Sequence, residues 1–133
     1  MTSEGRRETS AQEIAQARDE LEASRRMLEA ELFGQSARSN YYAVFHAARA
    51  LLYSKGIEPK THAGVIHLFG EHFVKTGLFT PEAGKLLRDL QAYRESADYL
   101  TGFTEDESVV RRGLAESQGF VAQVEKLLPT LAP

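Results

Sequence analysis

Apolar side chains recur every three or four residues along most of this chain, and the recurrence breaks at glycine, proline and short hydroxyl-acid clusters. That spacing is the signature of amphipathic helices. Ile14, Leu21, Leu28 and Leu32 form a first line; Ser10 with Glu13 reads as its capping box and Gly34 as its stop. A second helix is expected from a Ser36 cap to about Lys55, ended by Gly56. The stretch Ile57 to Lys60 reads as a loop, and Thr61 as the cap of a third helix carrying Val65, Ile66, Phe69 and Phe73 up to Gly77. Thr80-Pro81 opens a fourth helix, with Ala83, Leu86, Leu87, Leu90, Tyr93 and Ala97 aligned through about Leu100. Thr104 to Glu107 reads as a capping box for a fifth, bearing Val110, Leu114, Val121, Val124 and Leu128 and ended by Pro129. No stretch alternates with the strand period. The expected fold is all-α, an antiparallel helical bundle, with residues 1–9 a flexible N-terminus, 10–129 one domain and 130–133 a tail.

The second helix is the unusual one. At about 100° per residue, Tyr41, Val44, Phe45, Ala48, Leu51 and Leu52 share an apolar face. Ala43, Ala47, Ala50 and Ser54 form a face of small side chains that another backbone could approach closely. Tyr42, His46, Arg49 and Tyr53 occupy the third face, with Arg38 near its edge. A surface helix ordinarily carries Glu, Lys and Gln there. Tyrosine, imidazole and guanidinium together suit an anion or another chain.

Length and composition narrow the picture without naming a function. A chain of 133 residues holds one real core, and 42% hydrophobic with 26% charged residues is an ordinary globular balance. A net charge of -3 argues against coating nucleic acid by bulk charge, but not against a local basic groove. There is no cysteine, which excludes disulfides and thiolate zinc sites. No apolar run reaches the length of a membrane span, and the N-terminus lacks an apolar signal core, so a cytoplasmic protein with no membrane association is expected.

Candidate chemistry gathers on the second and fourth helices. Arg94 falls between Leu87 and Ala97 on the apolar stripe, where a guanidinium needs a partner, and Asp98 lies one turn on. The pair is either a structural ion pair or part of a site facing Tyr42, His46 and Arg49 across a groove. His46 could serve as a general acid or base. Cleaving RNA requires a group to take the 2′-hydroxyl proton, another to protonate the leaving oxygen, and a cation for the phosphorane. His46 with Arg94 or Arg49 and a tyrosine hydroxyl is one such set. His62, His67 and His72 do not read as a metal site: residues ten apart on a helix lie about 15 Å apart, and a step of five turns the side chain to the far side. His62 and His72 are expected at the edge of the apolar face. Lys60, beside the Thr61 cap, is a candidate anion contact. No metal or other cofactor is expected.

The combination of Tyr41-Tyr-Ala-Val-Phe-His-Ala-Ala-Arg-Ala-Leu-Leu52, Lys60-Thr-His-Ala-Gly-Val65, Phe73-Val-Lys-Thr-Gly77 and Arg94-Glu-Ser-Ala-Asp-Tyr99 resembles the HEPN superfamily, in particular its small stand-alone prokaryotic members. The resemblance covers roughly residues 10–129. It implies an up-and-down bundle of four main helices plus a shorter extra one, usually a homodimer. It also implies work on RNA or nucleotides, as a metal-independent ribonuclease toxin beside a minimal nucleotidyltransferase antitoxin, or as a nucleotide-binding module. Family nucleases carry Arg, a polar residue and, a few positions later, His; here Arg94 and Glu95 match, and Tyr99 stands in place of the His. Ser39 occupies a position where related proteins carry Arg. The expectation is therefore a HEPN homodimer that binds RNA or nucleotide phosphate through Tyr42, Arg49, Tyr53, Lys60 and Asp98, paired with a nucleotidyltransferase in a toxin–antitoxin-like system. The alternatives are an endoribonuclease with His46, Arg94 and Tyr99 as its candidate catalytic set, and a non-catalytic interaction subunit.

Overall fold

In a computed structural model, which describes residues 2–100 and 104–131, five α-helices carry the chain. They are α1 (Ser3–Glu29), α2 (Phe33–Ser54), α3 (His62–Phe69), α4 (Pro81–Tyr99) and α5 (Glu107–Leu127). A π-helical turn, Gly70–Val74, extends α3, and a 3-10 turn, Leu128–Thr130, follows α5. The described residues contain no strand, so the all-α bundle stands. Ser10 on Ala50 and Ser24 on Ser36 make α1 antiparallel to α2. Arg94 beside Tyr42 and Asp98 beside Arg38 make α4 antiparallel to α2; Arg18 with Glu125 at one end, and Ser24 joined through Asn40 to Val110 at the other, make α5 antiparallel to α1. The four long helices run up and down, and α3 is the short extra one. No described helix is long and apolar enough to cross a membrane.

All four other helices pack on α2, and fourteen of its residues are buried. Its small side chains, read from the sequence as a close-approach face, meet α1. Ser36, Asn40, Ala43, Ala47, Ala50 and Ser54 step by four and three in alternation, as do Ser10, Ile14, Ala17, Leu21, Ser24 and Leu28 of α1. Two matched 3.5-residue seams keep facing each other along their length. Their hydroxyls are satisfied across the seam: Ser10 donates to the Ala50 carbonyl at 2.8 Å, and Ser36 to that of Ser24 at 3.0 Å. Asn40, fully buried, ties in α5 by donating from Nδ2 to the Val110 carbonyl at 3.1 Å. At the opposite end Phe69, Phe73, Phe79 and Phe120 pack ring on ring, with centroids 5.2 Å to 6.3 Å apart.

Several expected helix ends move. α1 starts at Ser3 with Thr2 as its cap, accepting from the Gly5 N–H at 2.9 Å; Ser10 lies inside the helix, because its hydroxyl is used by α2. α1 stops at Glu29 rather than at Gly34. The Leu32 N–H bonds to the Met27 carbonyl and the Glu31 N–H to that of Leu28, with Glu31 left-handed at φ 60°. That is a Schellman ending, which sequence signals attach to glycine. α2 therefore begins at Phe33, and Ser36 is a buried helix-interior residue rather than a cap. At α5 the cap is Asp106, not Thr104; its Oδ1 accepts from the Ser108 and Val109 N–H groups and holds the carboxyl below its usual range. Thr61 caps α3 as expected, on the Gly64 N–H at 2.9 Å. The α4 stripe is only partly covered. Leu87 is buried, but Leu86, Leu90 and Tyr93 are half-buried beside a groove of about 360 Å³ where α4 and α5 part.

Candidate functional site

The third face of α2 lies under two neighbours, α1 on one side and the start of α3 with α4 on the other. The rings that organise it are Tyr42, on that face, and Tyr41 and Phe45 of the adjoining apolar face. Tyr41 and Phe45 are buried, and Tyr42 packs edge-on to both, with centroids at 5.2 Å and 5.9 Å. Around these rings stand two guanidinium groups and two imidazoles.

Arg94 reaches across from α4. Its guanidinium carbon lies 5.3 Å from the centre of the Tyr41 ring and 5.7 Å from that of Tyr42. Nη1 donates to Asp98 at 3.3 Å and Nη2 to Gln91 at 3.3 Å, while Nε is buried with no acceptor among the described residues. Its side chain is only 13% exposed, so the aromatic faces and Asp98 together compensate a charge that burial alone would penalise. Asp98 also accepts from Arg38 at 3.1 Å. The structural and the functional readings of Arg94 thus coexist: it is ion-paired, and it faces the α2 surface.

Arg49, one turn past Phe45, lies 5.4 Å from that ring's centre and donates to the Tyr53 hydroxyl at 2.6 Å. Both Arg49 and His46 turn toward Glu13 of α1. His46 Nδ1 is 2.7 Å from Glu13 Oε2, and Arg49 is 3.6 Å from Oε1. Glu13 is 15% exposed and His46 17%, which makes this a half-buried, charge-assisted pair rather than a solvent-screened one. Glu13 had read as a capping partner of Ser10; its actual partners lie 33 and 36 positions away, and nothing in local spacing signals that.

His62 is the other residue that local reading placed at an edge. The Thr61 cap starts α3 so that the imidazole stacks on Phe45, with centroids 4.4 Å apart and planes 16° from parallel. Its Nδ1 is 2.7 Å from the Tyr41 hydroxyl. Burial, then Arg94 and Arg49, push its pKa below the ordinary value. Burial pushes the Tyr41 hydroxyl well above its ordinary pKa, so it stays protonated.

Of the residues singled out from sequence, Tyr42, His46, Arg49, Tyr53, Arg94 and Asp98 are drawn into this one cluster. Lys60 is exposed in the loop before α3 with no described contact to it. Tyr99, at the last turn of α4, is 74% exposed and stands outside it. Ser39 is buried against Met27 rather than facing the cluster. Glu13, Tyr41, Phe45 and His62 complete the arrangement. Chemically it brings guanidinium donors, the partly exposed Tyr42 ring and two partly exposed imidazoles into one patch.

Comparison with known proteins agrees with this architecture. A Methanocaldococcus jannaschii protein named "putative toxin" is 35% identical over 112 residues, spanning 84% of this chain and 83% of its own. A Thermotoga maritima UPF0332 protein is 32% identical over 115 residues, 86% of this chain and 87% of that one. A Pyrococcus horikoshii UPF0332 protein is 44% identical over 69 residues, covering 52% of this chain and 49% of its own. A family model for the HEPN domain matches residues 12–127, from the first turns of α1 that meet α2 to the end of α5. With the five-helix bundle and the α2 face it is built around, the chain belongs to the HEPN domain family.

Proposed function

We propose that this HEPN protein binds RNA or nucleotide phosphate on the α2 face, as the toxin-like member of a pair with a nucleotidyltransferase. The observation that carries the reading is Arg94: a guanidinium laid on Tyr41 and Tyr42, its side chain 13% exposed, with a buried Nε that no group among the described residues accepts from. Arg49 on Phe45 supplies a second cation, and the partly exposed Tyr42 supplies an aromatic surface for a base. The toxin-like assignment is supported by the name of the similar Methanocaldococcus protein. A homodimer, common in the resemblance drawn above, would bring two such faces together.

The test is a titration of labelled short RNA and nucleotides at low salt, where phosphate contacts are strongest. Binding should weaken about tenfold or more in Arg94→Ala and Arg49→Ala, with a shallower salt slope in each. Absence of binding by the folded wild-type protein, or binding by both variants equal to that of the wild type, would overturn it. Co-purification with a nucleotidyltransferase encoded alongside would test the pairing, and sedimentation the dimer.

One observation favours a second reading, a metal-independent endoribonuclease: His46 Nδ1 lies 2.7 Å from the Glu13 carboxylate, which orients the ring and leaves Nε2 with no partner among the described residues. Incubation with RNA in EDTA decides it. Cleavage lost in His46→Ala supports the enzyme; no cleavage, or cleavage indifferent to that change, removes it.

A further inference from the structure

Of the four long helices, α4 is anchored at one end only. Its buried residues are Gly84 and Leu87, and Leu87 lies twelve positions before Tyr99, where the helix stops. In α1 and α5 burial continues to Leu28 and Val124, one and three positions from the end. The half of α4 without a buried residue is the half that carries Arg94 and Asp98.

Little ties that half to α2. The two hydrogen bonds from Arg94 go to Gln91 and Asp98 of its own helix, so they travel with α4 when it moves. At 3.3 Å each is longer than an ordinary N–H···O bond. Across to α2 run the contact of the guanidinium with the Tyr41 and Tyr42 rings and the Arg38–Asp98 pair, whose arginine is exposed and screened by water. This position also leaves Arg94 Nε buried without an acceptor among the described residues, a cost that hydration removes.

On its other side α4 faces open space. The groove of about 360 Å³ separates Leu90 and Tyr93 from Val109, Val110 and Gly113 of α5, and Gly113 has no side chain to fill it. The charged residues on its lips do not bridge it: Lys85 bonds to Asp89, and Arg112 lies against Glu116, each within its own helix. The Tyr93 hydroxyl accepts from the Asp106 N–H at 2.9 Å, and this bond acts as a strut between α4 and the start of α5.

We propose that α4 pivots about its Gly84–Leu87 anchor, so that residues 90–99 swing into the groove and lift Arg94 off Tyr41 and Tyr42, then return to close Arg94 over what has entered. Burying Leu90 and Tyr93 against α5 offsets the lost ring contact. Tyr93 is the positioning residue that sets the balance. The pivot does not depend on what the α2 face binds; its use as a clamp rests on the phosphate-binding reading above.

Relaxation dispersion on the ligand-free protein reads helix motions on the μs–ms scale. Residues 90–99, with Tyr41, Tyr42, Val109 and Val110, should exchange at one shared rate while the α1–α2 seam stays flat. Tyr93→Phe keeps the ring and removes the strut; it should raise the open population about fivefold, roughly the worth of one hydrogen bond. Flat profiles over 90–99 in both proteins overturn the pivot. So does a Tyr93→Phe effect spread evenly over the whole chain, the mark of a merely structural residue.

The direction is read separately. The chain has no cysteine, so nitroxide labels on Asp89→Cys and Arg112→Cys report the width of the groove alone. Adding Tyr93→Phe should bring in a shorter distance; an unchanged distribution or a longer distance overturns a swing toward α5. Saturating short single-stranded RNA should flatten the dispersion of residues 90–99, and dispersion that persists in the bound protein overturns the clamp. Absence of RNA binding overturns both the clamp and the phosphate reading, while the ligand-free profiles decide the pivot by themselves.

Discussion

His62 shows how a single side chain acquires properties its sequence neighbours do not hint at. On its own helix it is a first-turn residue next to a cap, but Tyr41, Arg49 and His46 of α2 and Arg94 and Glu95 of α4 all bear on it. Its folded-state pKa lies below the ordinary value near 6.5. As pH falls through 6.5 the unfolded chain takes up the proton first, so the stability owed to neutral His62 is complete above that pH and is lost as pH drops through the folded-state pKa. Urea denaturation between pH 7 and pH 5 should therefore lose stability more steeply in the wild type than in His62→Phe. Equal slopes would mean that His62 titrates alike in both states. Arg94 was legible as an anomaly because an Arg on an apolar stripe demands compensation, and Asp98 sat at a readable distance. Glu13 and His62 were not legible, since each acts on residues of another helix.

At the scale of elements, local chemistry fixes a helix end when the polar group has no better use elsewhere. Thr61 is at the surface and caps α3. Ser10 and Ser36 carry the same hydroxyl chemistry but are buried in the α1–α2 seam, where they bond to Ala50 and Ser24. The α1 ending has a cost that can be tested. Glu31 holds φ 60°, a conformation that disfavours a residue with a Cβ by about 1–2 kcal/mol. Glu31→Gly should raise stability, by about 0.5–1 kcal/mol after the unfolded-chain entropy of glycine is counted. A lower urea midpoint would show that the Glu31 side chain matters more than its backbone. Gly119, in the exposed interior of α5, has open space where a Cβ would stand. Gly119→Ala should stabilise the protein by about 1 kcal/mol, measurable in the same melts.

For the whole molecule the controlling feature is α2, which touches every other helix. Asn40 is the point where α1, α2 and α5 meet: it accepts from Ser24, donates to the Val110 carbonyl, and its own carbonyl accepts from Ser117. Gly113 leaves room for it; a Cβ there would come within 3.1 Å of Asn40 Nδ2. Asn40→Ala should destabilise by about 2–4 kcal/mol, through lost hydrogen bonds and a cavity that the close seam cannot collapse to fill. Thermal or urea unfolding reads this directly, and a loss below about 0.5 kcal/mol would mean that the three-helix junction does not depend on it.

The sequence by itself determined the helical class, the helix count and the three faces of α2. Those follow from 3.6-residue periodicity and from glycine and proline, whose effects are local in the chain. It also carried the family resemblance, through the Tyr41–Leu52 and Arg94–Tyr99 stretches. Only the tertiary structure decided which face meets α1, which hydroxyls cap helices and which lie in a seam, and which residues join the site. Glu13 reaches His46 across 33 residues, and His62 reaches Tyr41 across 21. Such contacts depend on how whole helices pack, so a residue's role there is set by its neighbours in space rather than along the chain. The face of residues 40–53 was legible from the start; what surrounds it was not.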